Sequence, residues 1–234
     1  MTVRVGLLVV GHVDPASVHI AGDYPELYRS LLDPFGIDIV PFACNDGDLP
    51  ASLDDCDGWI CSPSRSSTYD DLAWFGDVED LLRRLIGEER RFIGVCFGHQ
   101  LLAQALGGTV RRAAAGWGVG AQVFDVVTQQ WWMDGPTTEV RLVASHQDQV
   151  VELPSDAEVW LSSAYCPNGG FTVGERAWTM QLHPEFPAAV ADSLLRQRIE
   201  LLGADAVARA RTSLAEPLDR HLVGRWMART FAGR

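Results

Sequence analysis

Phe92-Ile93-Gly94-Val95-Cys96-Phe97-Gly98-His99-Gln100-Leu101-Leu102 holds the decisive change of pattern in this chain. A short apolar run breaks at Cys96 into helical spacing, with Leu101, Leu102, Ala105 and Leu106 on one face and Gly107 and Gly108 where a helix would stop. A buried strand that turns directly into a helix leaves a sharp corner, and the residue at that corner projects its side chain in a strained conformation. Gly94 and Gly98, two positions either side, leave room for neighbouring backbone. A thiol at this corner also faces a helix N-terminus, whose dipole and free N–H groups favour the reactive thiolate. Cys96 is therefore a candidate nucleophile, although the corner alone fits a core cysteine in a glycine-rich turn as well.

Strand and helix alternate throughout the N-terminal half. Residues 3–10, aliphatic apart from Arg4 and Gly6 and closing at Gly11, follow the pattern of a strand buried on both faces of a parallel sheet. Residues 24–32 place Leu27 and Leu31 at helical spacing before Pro34 and Gly36, and residues 37–42 read as the next strand. A third strand is expected at 58–61, followed by a helix with Val78, Leu81, Leu82, Leu85 and Ile86 on one face, ending near Gly87. Beyond Gly108 the pattern shortens into strand-like pieces at 122–127, 140–144, 159–163, 171–173 and 178–182. Helix is expected again only after Pro187, as two or three surface helices. These patterns predict an α/β domain on a mixed sheet, with central parallel strands flanked by helices and a small, mainly antiparallel extension. One domain over 1–234 is expected, with a core over about 1–190 and a helical segment over 188–234.

Composition narrows the partners. Hydrophobic residues at 47% and charged residues at 21% are ordinary globular usage, which excludes a disordered or fibrous chain. A net charge of −12 disfavours nucleic acid and anionic membranes, leaving a small molecule or another protein. The early apolar run is too short to span a bilayer and no leader pattern is recognisable, so a cytoplasmic location is expected. The 5 cysteines form no CxxC pair, and neither disulfides, a metal site nor a cofactor is expected. Cys44, Cys56, Cys61 and Cys166 read as buried, inert thiols. Trp131-Trp132-Met133 reads as core, and His99 as a packing residue turned away from Cys96 by helix geometry. The acidic run Asp46, Asp48, Asp54, Asp55 and Asp57 reads as solvated surface. His12, Asp14 and His19, near the end of the first strand, are candidate substrate contacts without metal-ligand spacing.

A thiol nucleophile needs a base, and the base an orienting group. Gln181-Leu182-His183-Pro184-Glu185-Phe186 offers both, with Glu185 close enough around Pro184 to hold the far nitrogen of His183. Alone, this pair also fits a structural histidine and a helix-capping acid. Together, the GxCxGxQ corner at 94–100 and the HPE at 183–185 resemble the class I glutamine amidotransferases. The resemblance covers nearly the whole chain, including the loop after the third strand, Ser145-His146-Gln147-Asp148-Gln149-Val150 and Gly116-Trp117-Gly118-Val119-Gly120, which look like segments of stand-alone members.

That resemblance implies a flavodoxin-like fold and a triad in which Cys96 attacks a side-chain amide, His183 moves the protons and Glu185 orients His183. A γ-glutamyl thioester is the implied intermediate. One oxyanion donor would be the Phe97 N–H, and Gln100 with the Ser145, His146 and Gln147 backbone matches positions that hold the substrate's amino and carboxylate ends. One departure stands out: the loop after the third strand reads Cys61-Ser62-Pro63-Ser64-Arg65-Ser66-Ser67-Thr68-Tyr69, whereas many relatives are glycine-rich there. Pro63 has no N–H, so either Ser62 or Ser64 supplies the second donor, or the loop moves, at greater cost without glycine. Ser64 is expected beside the thiol.

The implied activity is release of ammonia from glutamine, with a separate synthase subunit as a candidate partner, since only about fifty residues follow the HPE and no P-loop is present. A γ-glutamyl peptidase acting on γ-glutamyl peptides or amides uses the same triad and is the second reading. A non-catalytic binding or regulatory protein on the same fold is a third, and the intact Cys96, His183 and Glu185 argue against it. An open pocket beyond the scissile bond favours peptides, a closed one glutamine.

Overall fold

The computed structural model describes residues 2–233. Its first half runs β1 (Val3–Val9), α1 (Pro15–Ala21), α2 (Tyr24–Leu32), β2 (Ile37–Ala43), β3 (Gly58–Cys61), α3 (Phe75–Gly87), β4 (Phe92–Val95) and α4 (Phe97–Ala105). The strands β5 (Thr109–Arg112), β6 (Gly118–Val126), β7 (Glu139–His146), β8 (Asp148–Glu152), β9 (Ala157–Ser162), β10 (Gly170–Val173) and β11 (Ala177–Met180) follow. The chain closes with α5 (Ala188–Gln197), α6 (Ile199–Leu202), α7 (Ala204–Ser213) and α8 (Arg220–Ala232). None of these helices is long and apolar enough to cross a membrane.

The main sheet has nine strands in the order β2-β1-β3-β4-β11-β10-β9-β6-β7, and β5 pairs with β8 in a separate two-stranded ribbon. From β2 to β11 every pairing is parallel, and from β11 through β7 it is antiparallel. The strand at the end of the chain's β-rich stretch therefore belongs to the parallel half as much as to the extension. β11 lies beside β4 with Met180 opposite Val95, and the Cys96 N–H continues the ladder by donating to the Met180 carbonyl at 2.8 Å. Two segments more than eighty residues apart thus end at the same sheet edge, where open α/β sheets bind their ligands.

Both faces of β1, β3 and β4 are buried along most of their length, as their apolar runs require, whereas the edge strand β2 exposes Asp38 and Pro41. One core layer joins β1 and β11 to α2, α5 and α8, and the other packs β3 and β4 against α3 and α4. Trp132, Trp160, Trp178 and Trp226 meet in the first layer, with Trp132 stacked on Trp178 at a centroid distance of 4.6 Å. The Trp131-Trp132-Met133 segment does enter the core through Trp132 and Met133.

Three features differ from expectation. α8 is no surface helix: Val223, Trp226, Met227 and Phe231 are buried, forming an apolar stripe that the exposed Arg225 and Arg229 on the other face disguise in the sequence. Four helices rather than two or three follow Pro187. β5, β8 and α1 were not anticipated: Arg111 and Arg112 are both exposed, so β5 shows no alternation, and α1 is signalled only by Asp14 capping it before Pro15.

Candidate active site

Cys96 sits between β4 and α4 with φ 51° and ψ −100°, one of two non-glycine residues at positive φ among those described. Such a conformation costs on the order of 1–3 kcal/mol and survives only where its surroundings impose it. The impositions are visible. A Cβ on Gly98 would lie 2.4 Å from the Cys61 carbonyl oxygen, and one on Gly94 would lie 2.7 Å from the Gly98 carbonyl oxygen. α4 starts so close to β3 and β4 that only glycine fits at these two positions.

His183 follows β11 and is fixed by an isolated bridge to β7, its N–H donating to the Val143 carbonyl at 2.8 Å. Its Nδ1 lies 2.7 Å from Oε1 of Glu185, which is fully buried. Phe186 stacks on the imidazole at 4.5 Å, and Tyr24 stacks on Phe186. Burial alone would push the imidazole down; the Glu185 carboxylate and the charge of Cys96 outweigh it and lift His183 to about 10. The Nε2 atom has no hydrogen-bond partner among the described residues, which leaves it available for proton transfer. Cys96, His183 and Glu185 are thus brought together as one coupled group.

The other cysteines differ. Burial pushes Cys44 and Cys166 up to about 12 and Cys56 to about 11, and raises Cys61 well above the usual thiol range. Cys56, Cys61 and Cys166 lie at no strand-to-helix corner, and Cys44 opens only a single 3-10 turn after β2. His99 is fully buried, lies 2.7 Å through Nδ1 from Thr179 Oγ1, and is held neutral by burial, with its pKa lowered to about 3. His12 pairs with Asp23 and Asp14 with Arg65. Of the three candidates near the first strand, none lines the cavity beside Cys96.

That cavity has a volume of about 290 Å³ and is bordered by Ser64, Gln100 and the 145–148 segment. Gln100 Nε2 donates to the Asp148 carbonyl at 2.8 Å and to Gln181 Oε1 at 3.0 Å, tying α4 to β8 and to the stretch before His183. Ser145 Oγ accepts from Arg198, and Gln147 accepts the Ala113 N–H through its carbonyl. His146 is buried with Nδ1 3.1 Å from the Asp148 carbonyl oxygen, and burial lowers its pKa to about 4.

The two oxyanion candidates separate. The Ser62 N–H is spent on the Leu8 carbonyl at 3.0 Å, and its hydroxyl accepts from Val10 N–H and donates to the Pro63 carbonyl. Ser62 extends the β3 ladder and has no donor left for the cavity, which corrects the expectation for it. Ser64 borders the cavity, and its hydroxyl accepts from the Ser66 N–H, so the loop is tied to itself. Phe97 opens α4, where the first N–H groups have no partner in the helix.

Three site residues were not singled out from sequence. Asp148 borders the cavity and takes only neutral donors, Ser67 Oγ at 2.6 Å and Tyr69 OH at 2.8 Å. Arg198 enters from the C-terminal helices and lies over the Trp117 ring at 5.4 Å. Arg220, at the start of α8, donates to the Pro184 and Glu185 carbonyls at 2.9 and 3.0 Å and clamps the bend that carries His183 and Glu185. Asp148 stood in a quoted segment; nothing in the sequence marked the two arginines.

Comparison with known proteins agrees with this geometry. The family model for glutamine amidotransferase class-I matches residues 31–200. Gamma-glutamyl peptidase 3 of Arabidopsis thaliana is 29% identical over 173 residues, covering 70% of each chain. The glutamine-hydrolyzing GMP synthase of Bacillus pumilus is 32% identical over 129 residues, covering 55% of this chain and 24% of that one. The crystal structure of a glutamine amidotransferase from Thermotoga maritima superposes with a TM-score of 0.78 at 18% identity, over 100% of both chains, and shows the same fold. With the family model spanning most of its length, the chain belongs to the class I glutamine amidotransferases.

Proposed function

We propose that the protein hydrolyses γ-glutamyl amide bonds through a thioester on Cys96, and that its leaving group is larger than ammonia. The observation that supports this reading is the cavity of about 290 Å³ running from the Cys96 corner to the exposed side chains of Arg65 and Arg112. That size approaches the ~300 Å³ at which small-ligand clefts begin, and exceeds what release of ammonia calls for.

The steps follow from the residues. The Cys96 sulfur, as thiolate, attacks the γ-carbonyl carbon, and the oxyanion takes N–H donors from Phe97 and Ser64. His183, held protonated by Glu185, gives its Nε2 proton to the nitrogen as the C–N bond breaks and the amine departs. The neutral imidazole then takes a proton from water, hydroxide adds to the thioester carbonyl, and the C–S bond breaks to return thiolate and imidazolium. Asp148, which accepts from Ser67 and Tyr69 and makes no ion pair among the described residues, suits the α-ammonium of the γ-glutamyl unit, and Gln100 with the Ser145, His146 and Gln147 backbone holds that unit's remaining polar atoms.

Resemblance to gamma-glutamyl peptidases over 70% of both chains supports the peptidase reading. A second reading, ammonia delivery from glutamine to a separate synthase subunit, is favoured by the match to GMP synthase, of which this chain covers only the 24% that aligns. Incubation with glutamine and, separately, a γ-glutamyl dipeptide distinguishes them: the proposal expects faster release of the free amino acid than of ammonia. Cys96→Ala should lower either turnover by at least about 10³-fold with the fold retained, and persistent turnover would exclude the thioester.

A further inference from the structure

The cavity mouth is cationic in a chain of net charge −12. Arg65, Arg112 and Arg198 border it, against the single carboxylate of Asp148. Arg65 is paired with Asp14 at 3.2 Å, whereas neither Arg112 nor Arg198 makes an ion pair among the described residues. Arg198 is the unusual one. It lies partly buried between the C-terminal helices and β7, and taking a cation out of water without a counterion is unfavourable.

Its guanidinium is also oriented. One face lies over Trp117 at 5.4 Å, and one terminal N–H donates to Ser145 Oγ at 2.6 Å. A guanidinium carries five donors in a planar fork, so the edge not used by Ser145 stays available for a planar anion. Arg198 and Cys96 border the same cavity, and burial weakens the guanidinium's hold on its proton. Leu201, 62% exposed, adds an apolar wall at the same mouth.

We propose that Arg198, assisted by Arg112, binds a carboxylate on the leaving half of the substrate, so that the preferred substrates are γ-glutamyl amino acids with a free α-carboxylate. This rests on the γ-glutamyl hydrolase reading above and names its substrate class. In such a compound the scissile nitrogen and the carboxylate are joined through one carbon, so an anion subsite must border the cavity that holds the nucleophile, as Arg198 does. The γ-glutamyl end has its own polar set in Asp148, Gln100 and the 145–147 backbone. Glutamine, whose leaving group is ammonia, leaves Arg198 without a partner and is correspondingly the poorer substrate.

The test compares γ-glutamyl-alanine with γ-glutamyl-alaninamide, which share the γ-glutamyl unit and differ in carrying a carboxylate or a neutral carboxamide on the leaving half. The amide's less basic amine departs more readily, so a preference for the acid runs against intrinsic reactivity. The wild-type protein is expected to favour the acid in kcat/KM by about 10–100-fold, the range of a charge-assisted hydrogen-bonded pair. Arg198→Met should bring that ratio close to 1, Arg198→Lys should fall between, and Arg112→Met, at an exposed position on β5, should lower it severalfold. Loss of both substrates in equal proportion would assign Arg198 to the α-carboxylate of the shared γ-glutamyl unit and overturn the proposal. So would a wild-type ratio near 1. Calorimetric titration of the Cys96→Ala protein with acid and amide reads the same preference without turnover. If the wild-type protein cleaves neither compound but Cys96→Ala binds the acid more tightly, the hydrolase reading fails and the anion subsite stands; equal binding of the two removes the subsite.

Discussion

Replacing Gly98 by alanine tests the physical basis of the site most directly. The added Cβ would stand 2.4 Å from the Cys61 carbonyl oxygen and 2.9 Å from the Cys61 Cβ. Ordinary carbon–oxygen contacts fall at about 3.3–3.6 Å, so about 1 Å of displacement is required. Cys61 ends β3, which is paired on both sides, to β1 and to β4, and cannot yield. The first turn of α4 must move instead, carrying Cys96 with it. Overpacking against backbone belongs at the upper end of the usual range, about 3 kcal/mol. For a domain of this size that corresponds to a fall in Tm of about 6–12 °C. A shift of about 1 Å in the nucleophile costs on the order of 10²-fold in turnover.

Gly76 is the control. It is exposed in α3, has open space around its missing side chain, and should gain about 0.8–1 kcal/mol as alanine, raising Tm by a few degrees with turnover unchanged. Differential scanning calorimetry and hydrolysis of a γ-glutamyl dipeptide measure both variants. If Gly98→Ala melts and turns over like wild type, the close approach of α4 to β3 does not hold the nucleophile, and the strained corner has another cause.

Three other perturbations address different parts of the molecule. The folded value of His183, about 10, lies above the ordinary 6.5, so its contribution to stability is complete below about pH 6.5 and is lost as pH rises towards 10. Glu185→Gln removes the main group that raises it; urea unfolding at pH 6, 8 and 10 should show wild-type stability falling across that window and the variant lower at pH 6 and flatter, and parallel profiles would contradict the coupling. Trp132→Ala opens a cavity among four tryptophans and should cost about 3–5 kcal/mol by chemical denaturation, with any loss under 1 kcal/mol refuting its place in the core. Arg220→Met releases two carbonyls of the His183–Glu185 bend and should lower kcat on the order of tenfold with a smaller change in KM, whereas an effect on KM alone would place Arg220 outside the positioning of His183.

What could be read from sequence divides along a physical line. The corner at Cys96 was legible because strand, glycine, thiol, glycine and helix follow one another locally, and each has its own steric reason. His183 and Glu185 were legible as a pair because Pro184 forces a bend between them. That the two segments meet follows from the parallel pairing of β11 with β4, a register that the short apolar run at 178–182 does not itself encode. The antiparallel neighbours of that run were the easier expectation, since β10 precedes it by a tight turn.

Arginine explains most of what was missed. In α8, Arg220, Arg225 and Arg229 alternate with Val223, Trp226 and Phe231, and the charges hide a stripe that packs against β11 and α2. Arg220 and Arg198 are chemically identical in sequence to the solvated arginines around them, because charge reveals nothing about where a flexible side chain is held. Their roles depend on long-range partners: two carbonyls of the HPE bend for Arg220, and Trp117 with Ser145 for Arg198. Both belong to the C-terminal helices that looked least informative. The N-terminal half of the domain builds the Cys96 corner, and the C-terminal helices supply the arginines that clamp the His183–Glu185 bend and border the cavity, so truncation before α5 would remove both arginines together with the buried stripe of α8.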